Sequence, residues 1–412
     1  MFFHLFLNLS IMKTIPKRSS AAVLFATYVC IEAFFVAATV SGPAWRDVFE
    51  LSNTRLGLCL GASGAGVLIA SIFAGYATER QGPLRVLTLA MSAVLLALLA
   101  VAAADSFYML FAGLLAVGVC VAATHNAGIT LLSDIFPFRF RQVMSLASAL
   151  WFGSSVLTAP LIGYWLDYSA RTGRQAWGVR VPFLVLAGVL SLCLLLVRLR
   201  FRWLRRDSFA RDEGADSSPA FRRPGREWMW VPVLGFLHGM MLVSLMAWLN
   251  PLAQDVLEVS AFLGSLLFGV FAFGLASGRL LFAAFHNRIW RDDRRVLVLN
   301  GFFASVLFAS ALLASSYRAV FLLVLAGGFA CSSTGPCLFS IVADRFPGMR
   351  AKLYGYMEAS IAAAAITGSF LVGFFYDLGA PLPAAMGLSP AAAMFLGLSA
   401  LIWRKRKPYA SG

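Results

Sequence analysis

The amino-acid sequence predicts an all-α membrane protein of about twelve transmembrane helices in two related six-helix halves. Three observations carry the prediction: an apolar composition, long uncharged runs that recur from end to end, and an internal repeat at near-constant spacing. Of 412 residues, 60% are hydrophobic and 13% charged. Water-soluble domains run about 45–50% apolar and about 25% charged, so this chain holds more apolar surface than a soluble fold can hide.

The apolar runs come next. Each is long enough to cross roughly 30 Å of hydrocarbon at about 1.5 Å per residue. Inside lipid every backbone N–H and C=O must be paired within the structure, so long uncharged runs read as helices. A β-barrel would show alternating segments of about ten residues instead. The predicted spans are 20–42, 55–78, 84–104, 107–133, 141–166, 181–202, 229–251, 259–284, 295–315, 318–343, 351–376 and 385–403. One connection is long and polar, with Arg205, Arg206, Asp212, Glu213, Asp216, Ser217, Ser218 and Pro219. The chain thus divides into a lead (1–19), a first bundle (20–202), a linker (203–228), a second bundle (229–403) and a basic tail (404–412).

Lysine and arginine in the loops set orientation. With the N-terminus in the cytoplasm, 28 of the 34 fall on the inside, Arg279 among them. Arg46, Arg55, Arg171, Arg174, Arg180 and Arg318 remain outside. Both termini are therefore expected in the cytoplasm, in an inner or plasma membrane. The net charge of +15 is read as a topology signal and a contact for anionic lipid headgroups, not as a nucleic-acid surface. The first eleven residues lack the basic region and cleavage site of a secretory signal. Met12, followed by Lys13, Lys17 and Arg18, competes with Met1 as the start. All six cysteines lie in apolar runs, which predicts small buried side chains and no disulfide or metal site.

The repeat is the third observation. An offset of 208 aligns Pro43, Asp47, Glu50, Gly61, Gly66 and Arg80 with Pro251, Asp255, Glu258, Gly269, Gly274 and Arg288. After a two-residue insertion, an offset of 210 aligns Asp134, Phe136, Pro137, Gly163 and Asp167 with Asp344, Phe346, Pro347, Gly373 and Asp377. Composition bias would align glycines and alanines, not loop acids and prolines. Six-helix repeats in the same orientation imply two halves related by an axis along the membrane normal.

Between the second and third spans stands GYATERQGPLR, with Gly75, Glu79, Arg80, Gly82 and Arg85. In this motif, and over nearly its whole length, the chain resembles the major facilitator superfamily. Glu79 takes the place of the family's Asp, and Pro83-Leu84 replaces two basic residues. The second copy is degraded, with Ala283 for Gly, Asn287 for the acid, and Arg288 retained. The Asp-x-Phe-Pro turns at Asp134 and Asp344 also resemble the family's cytoplasmic helix ends. Gly153, Ala159-Pro160 and Gly163 loosely resemble its antiport motif, although a kink or packing role suits them better. The resemblance implies the superfamily fold and secondary transport by alternating access. Glu79 and Asp134, facing Arg80, Arg85, Arg139 and Arg141, would pair when the cytoplasmic face shuts and part when it opens.

Ionisable groups inside a span are costly and are candidates for function by default. Glu32 lies mid-span in helix one, His238 in helix seven, and His125 with Asn126 in helix four; Glu358 lies in helix eleven. In the resembled family, helices one, four, seven and ten line the cavity. Helix ten adds Ser332, Ser333 and Thr334 beside Pro336. Glu32 is the first candidate for a proton carrier, because a carboxylate in such a cavity can take up and release a proton. Glu358 suits a gate contact equally well. No Lys or Arg stands mid-span in helices one, four, seven or ten, so the expected solute is neutral or cationic. The chain contains no Walker loop, no His-Glu-x-x-His and no Gly-x-Ser-x-Gly, which argues against an enzyme. Neither a cofactor nor a nucleic-acid partner is expected; a small-molecule solute, protons and membrane lipids are. With no dimerisation signal, a monomer is expected. A transporter-like sensor or partner subunit that binds a solute without moving it is the alternative reading.

Overall fold

The computed structural model describes residues 15–136, 140–204, 226–289, 292–346 and 350–402. They form twelve long helices and, among the described residues, no strand. The first half holds α1 (Ile15–Val40), α2 (Asn53–Gln81), α3 (Pro83–Ala102), α4 (Phe107–Ile135), α5 (Phe140–Arg171) and α6 (Gln175–Leu204). The second holds α7 (Trp230–Pro251), α8 (Ala261–Ile289), α9 (Asp293–Leu313), α10 (Tyr317–Cys331, resuming as Thr334–Arg345), α11 (Arg350–Asp377) and α12 (Leu388–Ile402). Twelve segments are long and apolar enough to cross a membrane. The start, the linker and the tail lie largely outside the described residues, as does the question of Met1 against Met12.

Sequence chemistry sets the helix ends. Ser52, Ser106 and Ser316 cap α2, α4 and α10, each hydroxyl accepting from a backbone N–H three residues on. Gly82 turns α2 into α3 at φ 81°, a region closed to most side chains, and Pro83 then opens α3. The glycine of the GYATERQGPLR motif is thus required by the turn. α6 begins six residues before its predicted span, at Gln175 rather than at 181. There a polar turn continues the helix beyond the apolar run.

Backbone geometry carries the repeat. Glu50 and Glu258 are the two non-glycine residues with positive φ among the described residues, at 49° and 52°. Phe136 and Phe346 end their helices at φ −130°, ψ 58° and φ −129°, ψ 56°. Lipid supplies little drive for helices to associate, so close packing through small residues matters. A Cβ at Gly66 would lie 2.6 Å from the Val119 nitrogen, and one at Gly274 would lie 2.9 Å from that of Phe329. The α2–α4 and α8–α10 contacts are therefore copies of each other.

Each half has its own apolar core, with Trp45 stacked on Phe183 in the first and Trp248 fully buried in the second. The halves meet along two seams, α5 with α8 and α2 with α11. At the end of the bundle opposite the termini, here the far end, polar contacts tie them together. Arg46 makes a bidentate pair with Asp255 at 2.6 and 2.8 Å. Asn250 Nδ2 donates to the Val40 carbonyl at 2.7 Å. Asp167, at the end of α5, accepts from the first backbone nitrogens of α8. Asp377, at the end of α11, does the same for α2.

Candidate functional site

At mid-depth α1 presents Tyr28 and Glu32, one turn apart on the same helix face. Glu32 is 2% exposed, and its Oε1 accepts from Ser155 Oγ of α5 at 2.8 Å. A buried carboxylate needs such a donor, since an unpaired one would cost more than the helix can recover. Aromatic rings surround this point. Tyr28 meets His125 edge-on at 5.4 Å and Trp151 at 6.1 Å; His125 meets Trp151 at 5.6 Å. Phe35 stands 6.3 Å from Trp151. His125 therefore belongs to an aromatic wall beside Glu32. Asn126 Nδ2 bonds back to the Ala122 carbonyl of its own helix at 3.4 Å.

Arg279 corrects the sequence reading. It is not a loop cation: it lies within α8 and is buried, at 9% exposure. Its Nε donates to the Ser332 carbonyl at 3.2 Å, and its Nη1 to the Ser148 hydroxyl of α5. The guanidinium carbon stands 4.4 Å from the centroid of the Phe152 ring. Arg279 thus joins α8 and α10 of one half to α5 of the other.

The reason lies four residues past Ser332. In an α-helix that carbonyl would accept from residue 336, but Pro336 has no N–H to give. α10 breaks there, and Arg279 takes up the freed acceptor. Gly335 makes room for the arrangement: a Cβ on it would sit 3.3 Å from His238 Nε2 and 3.7 Å from Arg279 Nη2. His238 is 6% exposed, and its Nδ1 has no hydrogen-bond partner among the described residues. Asn300 of α9 donates to Ser333 Oγ at 2.7 Å and reaches Thr334 Oγ1 at 3.4 Å. Ser332 therefore serves this site through its backbone, while Ser333 and Thr334 are engaged by α9. Glu32 and Arg279 attract each other through space, yet among the described residues they form no ion pair.

The expectation of a neutral or cationic solute assumed cavity helices without a cation. Arg279 enters from α8, which that argument left out. Proline in α10 facing an arginine in α8 was the available signal, and it becomes visible only once the two helices are known to touch.

Of the predicted gate, Arg80 covers the Tyr76 ring at 4.4 Å and Arg85 is exposed. Gly75 has open space where a Cβ would stand. The side chains of Glu79, Asp134, Arg141, Asn287, Arg288 and Asp344 lie outside the described residues, as does Arg139 entirely. Glu358 is half-buried on α11.

A profile of the Major Facilitator Superfamily matches residues 23–310. The chain belongs to that superfamily and is a multi-pass membrane protein. Among solved structures it is similar to the inward-open xylose transporter XylE of E. coli. The TM-score is 0.76 at 12% identity, over 96% of this chain and 98% of that one. It is also similar to a bacterial homologue of the human lysosomal transporter Spinster, solved inward-facing and occupied. There the TM-score is 0.71 at 15% identity, over 95% and 96% of the two chains. A sequence comparison with curated proteins finds no match.

Proposed function

We propose that the protein is a secondary transporter that carries a small organic solute across the membrane by alternating access. The observation supporting this most directly is the position of the polar cluster. Glu32, Ser155 and His125 of one half and Arg279, His238 and the broken α10 of the other lie at mid-depth, where Arg279 reaches Ser148, while the other described polar ties between the halves gather at the far end. A site shared by two halves can be exposed to either side by rocking one against the other. Loop charge supports a cytoplasmic location for both termini, so the latched far end is the outer one. Glu32 is the residue suited to carry a coupled proton. Membrane lipids surround the bundle, and a monomer suffices for the mechanism.

Counterflow in proteoliposomes tests the reading. Protein reconstituted with a ligand found by thermal shift should exchange labelled against unlabelled solute, and the exchange should need no applied gradient. One observation favours the sensor reading: Asn287 stands where the first half has Glu79, which weakens one of two gates. A ligand that binds tightly and never exchanges would decide for the sensor.

A further inference from the structure

We propose that the solute is a small monocarboxylate whose carboxylate docks on the free edge of the Arg279 guanidinium, beside His238 and Phe152, and travels with a proton held by Glu32. The inference rests on the carrier reading above and assigns the chemistry of its site.

Among the described residues Arg279 is the one buried lysine or arginine. A guanidinium has five N–H donors in a planar fork. The described hydrogen bonds, to Ser332 and Ser148, use Nε and Nη1. The Nη2 edge has no described hydrogen bond and lies against Gly335, on the side where His238 stands. Among the described residues no carboxylate contacts the guanidinium. A buried cation held by neutral acceptors on one edge alone is incompletely compensated. A carboxylate matches a guanidinium edge in plane and spacing, and His238, whose Nε2 lies beside Gly335 as the Nη2 edge does, offers a second polar point. Phe152 packs on the guanidinium face, and Trp151, its neighbour, joins the aromatic wall with Tyr28 and His125. An apolar or aromatic body attached to the carboxylate fits that wall. A dianion would bring a second charge with no second buried cation to meet it.

Charge balance gives the proton its role. The groups that act on Glu32 are Arg279 on α8, through space, and Ser155 and Trp151 on α5; Tyr28 stands one turn away on α1, with His125 of α4 against its ring. With Glu32 ionised, its field already compensates Arg279. An arriving carboxylate then meets a repelling neighbour. With Glu32 protonated, the solute itself balances the cation. One proton and one monoanion therefore enter together, and the loaded site has the same net charge as the empty one with Glu32 ionised.

The test uses the purified full-length protein with benzoate, lactate and succinate as probes, alongside benzamide, lactamide and inorganic phosphate. Binding is read by thermal shift at two pH values, and counterflow of any binder is read in proteoliposomes. Benzoate or lactate should raise the melting temperature, more strongly at the lower pH. The amides, succinate and phosphate should do so weakly or not at all. Arg279→Gln should abolish the shift, and Glu32→Gln should keep binding while removing its pH dependence. If Arg279→Gln does not fold, Arg279→Lys replaces it: loss of the fork should weaken benzoate at least about tenfold. Unchanged benzoate affinity in Arg279→Lys overturns the docking assignment. Stabilisation by the amides that survives Arg279→Gln overturns the monocarboxylate class and leaves the carrier reading intact. Carboxylate binding that needs Arg279 but gives no counterflow upholds the site and overturns the carrier.

Discussion

Asp167 and Asp377 hold equivalent posts in the two halves, and each carboxylate closes the first turn of a helix belonging to the other half. Asp167 accepts from the nitrogens of Ala261 and Phe262 at 3.0 Å each; Asp377 accepts from those of Asn53 at 3.0 Å and Thr54 at 2.7 Å. These nitrogens have no partner within their own helices, and the helix dipole favours a negative charge beside them. Each contact holds the far end shut. Asp167→Asn or Asp377→Asn keeps the shape and removes the charge, at a cost of about 0.3–2 kcal/mol. The ratio of far-end-closed to far-end-open conformers should fall by about two- to thirtyfold. Maleimide labelling of Ser41→Cys, a position buried at that end, should quicken accordingly.

Arg46 and Asp255 form the second far-end tie, and both side chains are mostly covered, at 23% and 14% exposure. A double-mutant cycle with Arg46→Gln and Asp255→Asn should show coupling of about 0.5–3 kcal/mol in the same conformer ratio. Strictly additive single effects would exclude the tie. Asp255 raises the Arg46 guanidinium above its ordinary range. Its folded pKa exceeds the unfolded one, so the stabilising contribution is complete below the unfolded value and is lost only as pH climbs through the folded value. Alkaline buffer in the working range should therefore leave the far end shut.

Ser155 Oγ donates to Glu32 Oε1, and Trp151 also acts on the same carboxylate. Ser155→Ala leaves a buried oxygen without a donor and should cost about 1–3 kcal/mol when Glu32 is ionised. A protonated Glu32 can redirect its own O–H, so the loss should shrink at low pH. Melting temperatures of wild type and variant, compared across pH, check this; a constant difference would count against a Glu32 that changes protonation.

Pro336→Ala returns an N–H to the turn after Ser332 and puts it in competition with Arg279 for that carbonyl. α10 should become more regular and the protein more heat-stable, while solute binding weakens because the guanidinium loses an anchor. Stability and binding rising together would show that the break in α10 does not position Arg279.

Twelve spans were legible because lipid imposes length and apolarity on each helix by itself. The duplication was legible because Glu50 and Glu258 sit in loops, and Asp167 and Asp377 at helix ends, where composition does not force a match. Glu32 and His238 stood out as polar residues in apolar runs, and the structure buries both. Arg279 did not stand out. It sits five residues before the end of its predicted span, 259–284, where hydropathy reads an arginine as a flank. What buries it comes from α5 and α10, far away in sequence. For a related reason the engagement of Ser333 and Thr334 by Asn300 was not legible: a hydroxyl's partner cannot be read from its own helix.

Reciprocal capping also bears on how the polypeptide assembles. α2 starts on a carboxylate supplied by α11, and α8 on one supplied by α5, so either half made alone would lack the anion that begins one of its helices. Separate N- and C-terminal fragments, divided between Leu204 and Arg226, would each carry what the other is missing. Synthesised together they should find one another in the membrane, and synthesised singly each should be a substrate for proteolysis.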